Sequence, residues 1–426
     1  MDLYGELAWR GLIYGESEGV REALAHEQLT AYIGFDPTAP SLHVGSLLVM
    51  IALAHVQRSG HRPIAVVGGG TGLIGDPSGK TVERQLLSAE QLDVNVAGIR
   101  AQLERFLDFD SATAPARLVN NGDWLTKLGA IAFMRDVGKH FSVNAMLAKE
   151  SVKRRIEAEE GITFTEFSYS LLQAYDFLEL FDRYHCTLQM GGSDQWGNIT
   201  AGMDLVRRVR GAKAYGLVMP LITTASGTKF GKTEAGTIWL DPARTSPFRF
   251  YQYWLNVDDH DAVRFLKFFT FLDRAAIEDI RTAHDAAPQE RLAQRTLARE
   301  VTALVHGAEH VERAERASEV LFGGDLTALP ADDVLAVFDD VPSSLVARAA
   351  LDGAGVAAVE LIAASGLAAS KGEAARLIRG GGIYVNNRRL GDERARLRVE
   401  DAIEGRLFVL RKGAKQNHVV RVDTSG

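Results

Sequence analysis

The chain has 426 residues, 46% apolar and 24% charged, with a formal net charge of −7 at pH 7. That is material for about three globular domains, and it excludes collagen-like, disordered and disulfide-stapled classes. The single cysteine, Cys186, cannot close an internal disulfide, which points to a reducing compartment, the cytoplasm. No run reaches the roughly 18 consecutive apolar residues of a membrane span, and the mixed charges of Met1–Arg10 do not read as a signal peptide.

In chain order, Ala31–Phe35 is a predicted strand and His43–Arg58 carries a helical pattern. Pro63–Val67 is a continuous apolar strand closed by Gly68, Gly69 and Gly70. A helical segment near Ser88–Leu107 and a short strand at Ala116–Val119 follow. Then come a helix at Phe164–Asp182, a strand at Thr187–Met190, a helix at Gln195–Arg208 and a strand at Leu217–Ile222. This alternation predicts a doubly wound, Rossmann-like α/β domain over residues 1–246, with parallel strands and crossover helices. Ligands of such sheets sit beyond the carboxyl ends of the strands. Residues 247–322 read as a helical domain, rich early in aromatics (Phe248, Phe250, Tyr251, Tyr253, Trp254), and the less regular 323–355 as a linker. Residues 356–426 read as a small α+β unit with helices at Val359–Ser365 and Lys371–Arg379. From Lys371 to Arg421 there are 13 Lys/Arg against 6 Asp/Glu, an excess of +7 in an acidic chain. Such a tail either meets a polyanion or is a solvated basic face.

Two glycine-rich matches fail in context. Gly70-x-Gly72-x-x-Gly75 follows a strand, but Asp76 and Pro77 interrupt where a dinucleotide-binding helix should already run. Gly75–Thr81 resembles a P-loop with one residue too few between its glycines. Two other segments carry more. Phe35–Ser46 (FDPTAPSLHVGS) is a strand end, a Pro-bounded turn and a helix start, whose free amides and positive dipole end suit an anion. Thr38 and His43 can add donors there, and Gly45 lets a flat ring approach the backbone. Gly227–Thr233 (GTKFGKT) sets Lys229 and Lys232 in a Gly-flanked loop. Together these could be two jaws for a triphosphate. Taken singly, His43 reads as a helix-cap histidine and the lysines as solvated loop charges.

His43–Ser46 resembles the HIGH signature of class I aminoacyl-tRNA synthetases, and Lys229–Thr233 their KMSKS loop. GFDPTAPSLHVG, VGGGTGLIGDPSGK, FSYSLLQAYDF and GGSDQWGNITAG, with GTKFGKT, resemble the bacterial tyrosyl-tRNA synthetase family from about Leu3 to Val422. The resemblance implies a tyrosine–tRNA ligase. L-Tyrosine is activated with ATP to tyrosyl-adenylate, releasing pyrophosphate, and the tyrosyl group then moves to the 3′ end of tRNA(Tyr). The first step needs no side-chain nucleophile, because the substrate carboxylate is one, so catalysis rests on positioning and charge stabilisation.

By the same resemblance, Thr38 and His43 meet the γ-phosphate, while Lys80, Arg84, Lys229, Lys232 and Thr233 close over the departing pyrophosphate. Magnesium accompanies ATP on its phosphates, and no tightly bound cofactor or dedicated protein metal cage is expected. Tyr32 and Asp176 hydrogen-bond the substrate phenol; Asp76, Tyr169 and Gln173 hold the ammonium group; Gln195 orients the carboxylate. Tyr169, Gln173 and Asp176 fall at i, i+4 and i+7, on one helix face. Asp36, Gly45, Ser46, Gly192 and Asp194 contact the nucleotide, together with Lys232, and Leu221 and Ile222 lie near adenine. Ser46 replaces the usual second histidine or asparagine of HIGH, and Ile33 stands where many members have cysteine, which puts specific ribose contacts in doubt. Cys186 matches no catalytic position.

The tail, with Ser370, Lys371, Arg376, Gly380, Ile383, Val385 and Asn386 in order, resembles an S4-like RNA-binding module. Lys371, Arg376 and Arg379 are its candidate tRNA contacts, and the helical unit before it is expected to recognise the anticodon region. The family works as a homodimer through the catalytic domain. Two alternatives stand beside this reading. A tryptophanyl-tRNA synthetase shares the sheet and both signatures, but Tyr32 with Asp176 and the S4-like tail favour tyrosine. An RNA-binding protein with an inactive synthetase body is disfavoured by the intact His43, Asp194, Gln195, Lys229 and Lys232.

Overall fold

The computed structural model describes residues 2–76, 87–157, 161–224, 230–233, 236–321, 325–338, 341–413 and 416–423. Two compact units emerge: Met1–Thr245 with Tyr253–Val305, and Ser246–Gln252 with His306–Gly426.

The first unit is built on six strands, β1 (Gly15–Glu16), β2 (Thr30–Phe35), β3 (Arg62–Val67), β4 (Arg117–Asn120), β5 (Cys186–Gly192) and β6 (Tyr215–Met219), in the order β1-β6-β5-β2-β3-β4. β2 to β6 run parallel, as the alternation predicts, while the short β1 pairs antiparallel with β6 at one edge. β2 and β3 are buried along nearly their whole length, the mark of a parallel strand covered on both faces. Strand order runs outward from β2 through β3 to β4 on one side and from β5 to β6 on the other. The crevice at the carboxyl ends of β2 and β5 is therefore the topological switch point. Three helices frame it. Val44–Arg58 follows β2, Phe164–Tyr184 precedes β5, and Trp196–Arg210 follows β5. The Phe164–Tyr184 helix starts on Thr163, whose hydroxyl accepts from the Glu166 N–H, and stops at His185 in the left-handed region (φ 51°).

The structure redraws the expected boundaries. Tyr253–Val305 packs with the first unit and not in a separate helical domain. One tie is Arg10, whose buried guanidinium donates to the carbonyls of Lys267, Thr270 and Leu272 at 2.8, 2.8 and 2.7 Å, and so satisfies the end of the Asp259–Phe269 helix. The described residues of the expected linker over 323–355 are also structured. Leu326, Leu329, Ala331, Val334 and Phe338 share a core with Ile403, Leu407, Val409 and Val419.

β7 (Lys232–Thr233) and β8 (Gly236–Thr237) form a small antiparallel pair in the first unit. In the second, β9 (Ser343–Ala347), β10 (Val356–Ala357), β11 (Ile383–Val385), β12 (Arg388–Arg389), β13 (Arg396–Leu397), β14 (Leu407–Lys412) and β15 (Gln416–Asp423) make a five-stranded sheet of order β12-β11-β14-β15-β9 and a β10–β13 pair. β9, inside the expected linker, pairs parallel with β15. The helices Ala358–Ala364 and Lys371–Arg379 bury Ala358, Leu361, Ile362, Ala374 and Ile378 against this sheet with Ile383, Phe408 and Leu410.

Candidate active site

A cavity of about 560 Å³ opens at the switch point, and the sequence-predicted residues converge on it. All six of the amino-acid candidates line it: Tyr32, Asp76, Tyr169, Gln173, Asp176 and Gln195. So do Asp36, His43, Gly45, Gly192, Asp194, Leu221 and Ile222, with Ile33 in the wall. Thr38 and Ser46 are not among the lining residues. Thr38 is exposed, with its N–H on the Asp36 carbonyl at 2.9 Å, and the Ser46 N–H bonds the His43 carbonyl at 2.8 Å. Lys80, Arg84 and Lys229 lie outside the described residues, as do the side chains of Lys232 and Thr233.

One end of the cavity is a buried polar pair. The Tyr32 hydroxyl has no hydrogen-bond partner among the described residues, while its ring packs edge-on against Phe177 at 5.2 Å. Beside it is Asp176, which sequence reasoning found, held by two residues it missed. Asn121 Nδ2 donates to Asp176 Oδ2 at 2.9 Å and Trp124 Nε1 to Asp176 Oδ1 at 2.7 Å. Asn121 is itself fixed, because its Oδ1 accepts from the Gly70 N–H at 2.7 Å and its Nδ2 also donates to Thr71 Oγ1. Both come from the short Gly122–Leu125 helix after β4, Asn121 as its cap, far from any motif and without a spacing signal that could flag them. Burial pushes the Asp176 carboxyl up to about 7. The two hydrogen bonds oppose that rise, and the charges of Asp36 and Glu179 add to it. The Tyr32 hydroxyl is pushed up by burial and then by the Asp176 charge. Tyr169 is likewise raised, by burial and then by Asp36, Asp76 and Asp176.

The middle of the cavity is lined by amides and carboxyls. Gln195 donates to Asp76 at 2.8 Å and Gln173 to Gln195 at 3.2 Å, with Tyr169 Oη 3.5 Å from Asp36. Acceptors for an ammonium group and donors for a carboxylate thus stand side by side.

The far end is the start of the Val44–Arg58 helix. His43 is its N-terminal cap, with Nδ1 accepting from the Gly45 N–H at 3.0 Å. That bond fixes the neutral tautomer with the proton on Nε2, a donor for an anion. The spacing has a steric reason. A Cβ at Gly45 would stand 2.7 Å from His43 Cε1, so the residue two after the histidine can carry no side chain while the ring stays in place. Phe230, the first described residue of the lysine loop, lines the cavity and is anchored by a stacked ring contact to Phe269 at 5.3 Å and an edge contact to Phe265 at 5.1 Å. Next to it Gly231 adopts φ +80°, open to glycine at little cost, and its N–H donates to the Tyr253 hydroxyl at 3.1 Å. Burying such a phenyl ring contributes roughly 1.5–3 kcal/mol, which fixes the base of the loop to the helices around it.

A second cavity of similar volume, lined by His140, Lys149, Met203 and Arg207 among others, contains none of the candidate site residues. Among the described residues no group of three or more His, Cys, Asp or Glu side chains could hold a metal ion, and no helix is long and apolar enough to cross a membrane. In the second unit Lys371, Arg376 and Arg379 are exposed on the Lys371–Arg379 helix. Lys371 pairs with Glu360 at 2.6 Å and Arg379 with Glu393 at 3.0 Å.

Residues 24–323 match the family of class I tRNA synthetases (W and Y), and residues 333–420 match the tyrosine–tRNA ligase SYY-like C-terminal domain. The chain is 56% identical to a tyrosine–tRNA ligase of Roseiflexus castenholzii over 98% of each. It is 53% identical to one of Geobacillus stearothermophilus over 99% of this chain and 100% of that relative. Among solved structures, it is similar to a C-terminally truncated mitochondrial tyrosyl-tRNA synthetase of Aspergillus nidulans, with a TM-score of 0.69 and 31% identity, covering 75% of this chain and 94% of that one.

Proposed function

Since the chain belongs to the tyrosine–tRNA ligases of class I, and so activates L-tyrosine with ATP and passes the tyrosyl group to tRNA, we propose that the switch-point cavity is where both steps occur. The observation that carries this assignment is the unpartnered Tyr32 hydroxyl beside the braced Asp176 carboxylate, a buried donor and acceptor that a phenol completes. Phenylalanine leaves both unmet, which costs roughly 1–3 kcal/mol per buried group. Tryptophan has no hydroxyl to place between them.

Asp76, Tyr169 and the Gln173 oxygen hold the ammonium group, and Gln195 turns the carboxylate toward the nucleotide. Asp36, Gly45, Gly192 and Asp194 contact the adenylate, Leu221 and Ile222 flank adenine, and Ser46 lies near the ribose. The carboxylate attacks the α-phosphate, forming the mixed anhydride as the bond to pyrophosphate breaks. His43 Nε2–H and the helix amides stabilise the phosphate charge, with Thr38 beside them, and Lys80, Arg84, Lys229, Lys232 and Thr233 neutralise the leaving pyrophosphate. Magnesium enters on the ATP phosphates. In the second step a terminal ribose hydroxyl of tRNA attacks the tyrosyl carbonyl and AMP leaves.

The exposed basic residues Lys371, Arg376 and Arg379 grip tRNA through its phosphates. A second copy of the chain covers a run of exposed apolar side chains in the first unit, with Ile131, Met134, Val143 and Phe164 at 77%, 59%, 58% and 76% exposure. The cytoplasm suits the lone buried thiol of Cys186. Pyrophosphate exchange measured with each amino acid tests the assignment. Tyrosine alone should support it, and exchange with tryptophan, or with no amino acid, would refute it.

A further inference from the structure

Four side chains from three segments form one directed hydrogen-bond chain along the cavity wall. Gln195 Nε2 donates to Asp76 Oδ2 at 2.8 Å, and Gln173 Nε2 donates to Gln195 Oε1 at 3.2 Å. Asn198 Nδ2 donates to Gln173 Oε1 at 3.1 Å and to Gln195 Oε1 at 3.3 Å. The carboxylate end fixes the sense of the whole chain, because an ionised carboxylate only accepts. Gln195 must turn its NH₂ to Asp76, which leaves its oxygen toward Gln173 and Asn198. Gln173 must then offer its own NH₂, and its oxygen faces a donor. Among the described residues, Asn198 supplies that donor at the head of the chain.

The bookkeeping leaves two positions for a ligand. Among the described residues, the Gln195 oxygen takes two hydrogen bonds and is full, while its second N–H has no acceptor. The Gln173 oxygen takes one and keeps a lone pair. Asn198 is 7% exposed and sits in the first turn of the Trp196–Arg210 helix, three residues after the N-terminal cap Gln195, where a side chain can reach back to the cap. Asparagine is a weak helix former elsewhere, so the position favours it for its amide.

We propose that Asn198 is a positioning residue for tyrosine. As the donor at the head of the chain it locks the amide orientations of Gln173 and Gln195, so that an oxygen meets the ammonium group and an N–H meets the carboxylate. The inference rests on the reading above that Gln173 and Gln195 hold those two groups.

The test is steady-state pyrophosphate exchange by the full chain carrying Asn198→Asp or Asn198→Ala, with Gln173→Ala and Gln195→Ala as references. A neutral hydrogen bond is worth a factor of about 2 to 13, so Asn198→Ala should raise the tyrosine KM about threefold or more. Asn198→Asp, of equal size but reversed polarity, should raise it about tenfold or more, since it places an acceptor against two acceptors. The KM for ATP and the preference for tyrosine over phenylalanine should stay unchanged, because the phosphate and phenol ends are untouched. A parallel loss of tyrosine and ATP binding with a lowered melting temperature would make Asn198 merely structural and overturn the proposal. An unchanged tyrosine KM in Asn198→Asp, while the glutamine variants raise it, would overturn the proposal and leave the reading of the cavity standing. If neither glutamine variant changes the tyrosine KM, that reading falls and the proposal with it. Should Asn198→Asp fail to fold, Asn198→Ala decides by the same criteria.

Discussion

Replacing Trp124 by Phe keeps an aromatic ring in the core but removes the N–H that donates to Asp176 Oδ1 at 2.7 Å. The carboxyl already stands at about 7 in the folded protein, because burial outweighs its two hydrogen bonds. A hydrogen bond to a charged group contributes about 1.5–3 kcal/mol and one pKa unit is about 1.4 kcal/mol, so its loss raises the carboxyl by about one to two units. The phenol of tyrosine needs an acceptor, so the deprotonated form is the binding form, and kcat/KM for tyrosine rises with pH through this pKa. In the variant the rise moves from near 7 to about 8–9. At pH 7 the ionised fraction falls from about one half to between about one tenth and one hundredth, a loss of about 5- to 50-fold in kcat/KM. The assay is tyrosine-dependent pyrophosphate exchange from pH 6 to above pH 9 at saturating ATP, with thermal unfolding as a control on the fold. The deficit should close at the alkaline end. A deficit constant across the range, or a profile that does not move, would refute the claim that Trp124 holds Asp176 ionised.

Three further outcomes follow from the same structure. Gly45→Ala sets a Cβ 2.7 Å from His43 Cε1, so the ring must leave its cap position. Single-turnover adenylate formation should slow by at least about tenfold with tyrosine affinity unchanged, and equal losses in both would contradict the role given to His43. A cut within 323–355 divides the core that holds Leu326 and Val334, so the informative truncation ends after Leu321, which removes every buried residue of that core but Ala317. That shortened chain should still make tyrosyl-adenylate but not charge tRNA, and the steep fall of tRNA affinity with salt should flatten; a salt slope equal to the intact protein's would make the basic tail a solvated face. Ile131→Asp buries a charge wherever Ile131 is covered by a second copy, and sedimentation should then report half the mass; an unchanged mass would place the dimer surface elsewhere.

The legible parts of the fold were those whose apolar residues face a core. Pro63–Val67 reads as a buried strand because nearly every residue in it is covered, and the structure extends it only by Arg62. The short helices between Ala130 and Ile156 escaped notice because several of their apolar side chains, Ile131, Met134, Val143 and Leu147 among them, point outward and break the 3.6-residue pattern. β9 escaped for a different reason, since Ser343 and Ser344 look like a turn and their partner lies in β15, far along the chain. At the site, contiguous motifs and one helix stripe gave most of the candidate groups that line the cavity. Asn121, Trp124 and Asn198 act through other side chains, and such partners carry no local spacing that a single sequence can display.

The parallel pairing of β9 with β15 also sets an order of events during synthesis. The six-stranded sheet has all its strands once Met219 has emerged from the ribosome, including the partners of its own non-local pairings, β2 with β5 and β1 with β6. Ser343–Ala347 meets its partner in the described sheet later still, when Val419–Asp423 appears, and β14 keeps an open edge until then. Non-local parallel pairing closes slowly, because the loop entropy is lost before the contacts form. The unit that carries the basic residues is thus completed last. A nascent chain acquires the sheet that frames its switch-point cavity well before the tail sheet is closed, and a ribosome stalled short of β15 leaves two unpaired strand edges exposed to other chains.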